Sequence, residues 1–203
     1  MSPRPYRPRR RADRSQATRE RIKTAVRELL AEGTFHELAI EEVADRAGVS
    51  RATLYQHFRS RAELVDAICE TLAENPALLR LRETVELPDV DAALSETIAG
   101  SVGFWSSEDP ILRELYGVAA VDQAARDLVD RQRADRRGEL ERLVRNLHRS
   151  GRLRPGVAQP RALALLLVLT GYETFRELRE AGLSDRQAVE LLQDSARRLL
   201  LAG

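Results

Sequence analysis

The chain has one cysteine, one lysine, three histidines and aromatic residues at only 4% of its 203 positions. A lone cysteine, Cys69, excludes an internal disulfide and suits a reducing compartment, so a cytoplasmic location is expected. Cys69 falls on an apolar helical stripe, where packing is its ordinary role; the alternative is a redox switch acting by modification or intersubunit pairing. Long apolar runs are missing as well. The longest, Ala162 to Thr170, falls well short of the roughly 20 residues of a membrane span. The N-terminus is basic but has no apolar stretch behind it of the kind a secretory signal needs.

Signatures of catalysis are equally scarce. There is no G-x-S-x-G, no phosphate-binding loop, no H-E-x-x-H and no paired cysteine. His36, His57 and His148 are far apart in sequence, and His148 sits among Arg145, Asn146 and Arg149 on a charged, surface-like stretch. No enzyme activity, metal site or cofactor is expected.

What is present is helical punctuation from end to end. Hydrophobic residues make up 43% and charged residues 32%, a globular balance, and no strand-like alternation of useful length occurs. The fold class is therefore all-α. The formal net charge of +1 hides an asymmetry. Residues 1 to 14 hold six Arg, including Arg7, Arg9, Arg10 and Arg11, against one Asp. Proline at positions 3, 5 and 8 opposes helix and sheet alike, so this segment reads as a disordered basic arm. It either tracks nucleic-acid phosphates or serves as a solubilising tail.

The stretch from Ile40 to Leu64, IEEVADRAGVSRATLYQHFRSRAEL, organises the rest. Val43, Ala47, Leu54 and Phe58 can reach one core from two short helices. Gly48 sits where a tight turn needs φ > 0, Ala44 allows close approach, and Ser50 can cap the second helix. This is a helix-turn-helix pattern with one polar face left free. Upstream, Ile22, Ala25, Val26, Leu29 and Leu30 form the stripe of a helix over 15–32, ended by Gly33. Downstream, Ser60 and Glu63 suggest a capping box that opens a fourth helix, stopped at Asn75-Pro76.

Ala47-Gly48-Val49-Ser50, Thr53-Leu54-Tyr55, His57-Phe58, Ser60-Arg61 and Glu63-Leu64 together resemble the DNA-binding domain of the TetR family of transcriptional repressors. The match covers roughly residues 15 to 70. Two positions depart from the pattern: Ala39 stands where a hydroxyl cap is usual, and Arg61 where Lys is usual. Glu41 and Glu42 in the following turn partly offset the lost cap through the helix dipole. The resemblance implies that Thr53, Tyr55 and His57 contact phosphate and that Arg51 and Ala52 lie near bases. Arg suits guanine O6 and N7, Ala the thymine methyl. Gln56 belongs to the same outer face, and Arg61 at a helix N-terminus fits a phosphate clamp.

The C-terminal part reads as further helices: Asp89 or Asp91 to Trp105, Asp109-Pro110 to Tyr116, 122–149, Pro160 to Ala181, and a last one opened by a Ser184–Gln187 capping box. Leu163, Leu167, Thr170 and Thr174, with Leu192, Ala196 and Leu199 on the last helix, suggest a self-association face. The resemblance favours a four-helix dimer interface there. Phe104, Trp105, Tyr116, Tyr172 and Phe175 either line a ligand cavity or form ordinary core. The expected organisation is a basic arm (1–14), a three-helix DNA-binding domain with a linking fourth helix (15–75) and a helical regulatory and dimerisation domain (76–203). The expected function is sequence-specific regulation by a homodimer on a palindromic double-stranded operator. A small-molecule effector would release it; the alternative is an activator or a ligand-independent regulator.

Overall fold

A computed structural model describes residues 8–33 and 40–202. Ten helices appear among them: α1 Pro8–Ala31, α2 Ile40–Arg46, α3 Arg51–His57, α4 Arg61–Ala73, α5 Pro76–Thr84, α6 Val90–Ala119, α7 Gln123–Arg149, α8 Gln159–Leu169, α9 Tyr172–Glu180 and α10 Asp185–Leu200. The described residues contain no named strand, only an isolated antiparallel bridge between Leu153 and Leu201. None of the described helices is long and apolar enough to cross a membrane. The chain divides into two compact units. One comprises the residues up to Thr71 with Pro110–Leu128; the other comprises Leu72–Asp109 with Val129–Gly203. The expected boundary at 75/76 leaves 110–128 out of the N-terminal part, whereas the compact N-terminal unit includes them.

In the first unit, Ile22, Val26, Leu29 and Leu30 of α1, Val43 and Ala44 of α2, Leu54 and Phe58 at α3, and Leu64 of α4 are all buried. Gly48 adopts φ 62°, a left-handed conformation that would strain any residue with a Cβ. Val49 N–H then bonds back to Ala44 O at 2.9 Å, and Ser50 Oγ accepts the Thr53 N–H at 3.1 Å. At the start of α4, Ser60 Oγ accepts the Glu63 N–H at 3.2 Å. The Glu63 carboxylate reaches one residue further back than a capping box requires, taking the Arg59 N–H at 2.8 Å.

Helix α1 differs from its expected start. It begins at Pro8, so Arg9, Arg10 and Arg11 lie on a helix and not on a loose arm. Proline opposes a helix interior but fits the first turn, where its missing N–H would have no partner in any case. Arg7 and the rest of residues 1–7, and the 34–39 connection that contains Ala39, lie outside the described residues.

The helices after α4 correct the sequence reading at three places. Asn75-Pro76, expected as a stop, also opens α5: Asn75 Oδ1 accepts the Ala77 N–H at 2.7 Å and Pro76 takes the first turn. The helices expected on either side of Asp109-Pro110 are one continuous α6 with Pro110 inside it. An internal proline costs about 3 kcal/mol, which tertiary packing must offset. Asp109 does not free its carboxylate for capping; it accepts the Tyr172 hydroxyl at 2.7 Å.

The third correction concerns the helix expected from Pro160 to Ala181, which breaks at Thr170-Gly171 into α8 and α9. Arg136 of α7 sits at the break. Its Nη1 donates to Thr170 O at 2.6 Å and to Thr170 Oγ1 at 3.0 Å, and its Nη2 donates to Leu167 O at 3.1 Å. Trp105 Nε1 adds a second donor to Thr170 O at 3.0 Å. A Cβ at Gly171 would meet Leu167 O at 3.1 Å, so a larger residue would push the turn open. Two arginines of the 131–137 stretch are thus engaged by the chain itself: Arg136 is half-buried and Arg133 pairs with Glu173 at 2.9 Å. The Ser184–Gln187 capping box is present as expected.

Two outcomes follow for stability. Leu54→Ala should lower unfolding free energy by about 2–5 kcal/mol and Ser50→Ala by about 1 kcal/mol in urea titrations; equal losses would mean α3 is not anchored through Leu54. Arg136→Met should cost about 1–3 kcal/mol, because two C-terminal carbonyls of α8 lose a charged donor; an unchanged midpoint would show that water replaces the guanidinium freely.

Candidate nucleic-acid interface

Seven residues make up α3, and they divide cleanly between two sides. Leu54 is fully buried and Phe58 at the C-cap nearly so. Arg51, Ala52, Tyr55 and Gln56 are exposed, while Thr53 and His57 are half-buried. Tyr55 is the clearest case: a large aromatic side chain left 48% exposed on a helix whose neighbouring apolar residues are covered. The outward face is the set of side chains named from the sequence. Arg61 begins α4, but its side chain lies outside the described residues.

Ion pairs made by three arginines, which sequence reading missed, hold this face in place. Arg46 of α2 donates in bidentate fashion to Glu32, at 2.8 and 2.9 Å, and stands 3.6 Å from Glu28 of α1. That hydrogen-bonded guanidinium holds the Glu32 carboxyl below the usual range. Arg19 of α1 places its guanidinium 4.4 Å from the Phe58 ring centroid, donates to His57 O at 3.3 Å and pairs with Glu70 of α4 at 3.5 Å. It thus touches the C-terminal end of α3, where a cation complements the helix dipole. On the outer side, Arg51 Nη1 lies 2.9 Å from Glu41 Oε1 of α2. None of these pairs has a helical i, i+4 spacing, so no periodicity announces them.

The aromatic residues singled out in the C-terminal part fall into two groups. Phe104, Trp105, Tyr172 and Phe175 form one cluster, with successive ring centroids 5.0, 5.7 and 6.3 Å apart. Burial, followed by the Asp109 hydrogen bond, pushes the Tyr172 phenol well above its ordinary pKa, so it stays a neutral donor. Tyr116 belongs to the other compact unit. Trp105 N–H and Tyr172 O–H are both engaged by groups of the chain itself.

The residues expected to mediate self-association also divide. Leu163, Thr170, Leu192 and Ala196 are buried within the single chain and serve its own core. Leu167 and Thr174 are half-buried, with Leu167 O held by Arg136 and Thr174 Oγ1 donating to Val168 O at 2.6 Å. Leu199 is 45% exposed, as expected for an outward position, and it is joined by Leu191 at 46% and Val168 at 62%, neither of which the sequence reading named. Helix α8 is apolar on most of its circumference, so periodicity alone does not separate its inner from its outer side.

Comparison with known proteins agrees with this geometry. The family described as "Bacterial regulatory proteins, tetR family" matches residues 22–68. The transcriptional regulator UidR of Escherichia coli K12 is 39% identical over 72 residues, which cover 36% of each chain. The transcriptional activator FasR of Mycolicibacterium smegmatis is 39% identical over 57 residues, 28% of this chain and 26% of that one. The match therefore spans about a third or less of these relatives' length. Whole-chain likeness comes from structure: NalD of Pseudomonas aeruginosa, the secondary repressor of the MexAB-OprM multidrug efflux pump, superposes with a TM-score of 0.69. It is 25% identical, with 92% of this chain and 98% of that one covered. Residues 22–68 are thus similar to the helix-turn-helix segment of the tetR family of bacterial regulatory proteins, and the all-α fold of the chain is like that of the repressor NalD.

Proposed function

We propose that the chain is a sequence-specific DNA-binding regulator in which α3 enters the major groove as a symmetric pair. The observation that carries this reading is the outward face of α3, with Arg51, Ala52, Tyr55 and Gln56 uncovered while Leu54 and Phe58 anchor the helix from behind. An α-helix fits the major groove, and Arg reads guanine there by two parallel bonds. Thr53, Tyr55 and His57 supply polar tips for phosphate oxygens, and Arg61 adds a cation at the N-terminus of α4. The basic residues at the start of α1, Arg9, Arg10 and Arg11, supply further charge for the backbone, as would Arg7.

The dimer rests on the exposed apolar side chains of α8 and α10. Val168, Leu191 and Leu199 are large, apolar and uncovered in the single chain, and a two-fold pairing would bury them. Such a dimer reads a palindromic operator with half-sites about one helical turn apart. Repression released by a small-molecule effector is supported by the likeness to NalD, a repressor; the likeness to FasR, an activator, supports the alternative. Effector and operator then favour different conformations of one dimer. The chemistry takes place in the cytoplasm, where DNA is accessible to it.

Fluorescence anisotropy on duplexes differing at single base pairs tests the reading. Arg51→Ala should cost about 1–3 kcal/mol at one position per half-site and relax the preference there. Arg61→Ala should weaken all duplexes nearly equally and flatten the salt dependence; the reverse assignment would refute these roles. Val168→Arg combined with Leu191→Arg should give a monomer in light scattering, with affinity for a palindromic duplex reduced; a dimer of unchanged mass would place the interface elsewhere.

A further inference from the structure

The outer end of α3 carries a charge partner that base reading by Arg51 alone leaves without a role. The Arg51 side chain is 65% exposed, and its Nη1 lies 2.9 Å from Glu41 Oε1 on the first turn of α2. No other partner of Arg51 occurs among the described residues, so Nε and Nη2 remain available. An exposed pair of this kind contributes little to folding. Its consequence falls on how Arg51 meets DNA.

Two effects act in the same direction. The first is geometric. A free arginine samples many rotamers, whereas a guanidinium held at Nη1 presents its remaining donors as a fixed fork, which suits the paired O6 and N7 acceptors of guanine. Glu41 is well supported for this task, because α2 is braced to α1 through the bidentate Arg46–Glu32 pair. The second effect is electrostatic. Non-specific binding is dominated by phosphates, and a carboxylate beside the outward face of α3 repels them. While paired with Glu41, Arg51 is also a poorer loose cation for backbone contacts. Both effects penalise wrong sequences more than the right one, which is how discrimination is obtained without added affinity.

We propose that Glu41 is a specificity-determining positioning residue, holding Arg51 for a guanine edge and withholding it from phosphate. This role rests on α3 being the element that reads DNA.

The test compares the full-length protein on two duplexes of equal length, one enriched by the wild type from random DNA and one scrambled. Glu41→Gln should bind the scrambled duplex more tightly and lose about five- to tenfold of the enriched-to-scrambled ratio, the size of one good base contact. Glu41→Gln in an Arg51→Ala background should still tighten both duplexes but leave their ratio unchanged. Equal tightening on both duplexes in both backgrounds would overturn the proposal and make Glu41 only a repulsive charge. An enriched-to-scrambled ratio in Arg51→Ala alone as large as that of the wild type would overturn it by removing Arg51 from base reading. A wild type that enriches no sequence would instead overturn the DNA reading itself.

Discussion

The constraint on which the interface depends is the burial of Leu54 and Phe58. A seven-residue helix is too short to persist alone in water. It exists because these two side chains are removed from solvent and because both of its ends are satisfied, Ser50 at the start and the Phe58 N–H to Leu54 O bond at the end. With those groups fixed, helical geometry leaves Arg51, Tyr55 and Gln56 no option but the outside. The same apolar contacts that stabilise the helix therefore decide which side chains a partner meets.

Around that anchor the chain uses arginine as a brace. Arg19 links α1 to the end of α3 and to α4, Arg46 clamps α2 to α1, and in the second unit Arg136 closes the break between α8 and α9. Guanidinium suits each place because it offers several donors in a planar fork. Singly, exposed pairs of this type are weak. Their value here is positional: they hold short helices at fixed angles where cores are small. Arg136 is the strongest of the three, because it satisfies carbonyls that α8 leaves without partners at its C-terminus.

Much of this was legible in the sequence wherever the determinant is local. Gly48, Ser50 and Ser184 act through their own backbone neighbours, and the residues named from the pattern occupy those roles. The outward face of α3 was equally legible, since the i, i+4 spacing of Leu54 and Phe58 fixes its inner side. Reading failed where a signal has two meanings. Asn75-Pro76 can end one helix or begin the next, and here it does both. Pro8 was read as a breaker but sits in a first turn that tolerates it. Pro110 lies inside a helix that its surroundings hold together. Reading also failed where the partner is remote. The Thr170-Gly171 break depends on Arg136, 34 residues away, and the Glu41–Arg51 pair joins two different helices. On α8, apolar residues on nearly every side hid the fact that Leu163 faces in and Val168 faces out.

The most direct test of the central claim is hydroxyl-radical footprinting of the protein with and without saturating duplex DNA, read by mass spectrometry. Tyr55 is exposed and reactive, whereas Tyr172 is buried. The account predicts that DNA suppresses oxidation of Tyr55 several-fold and leaves Tyr172 as poorly labelled as before. Unchanged labelling of Tyr55 on a fully bound complex would contradict it, because the outer face of α3 would then not be the surface that meets DNA.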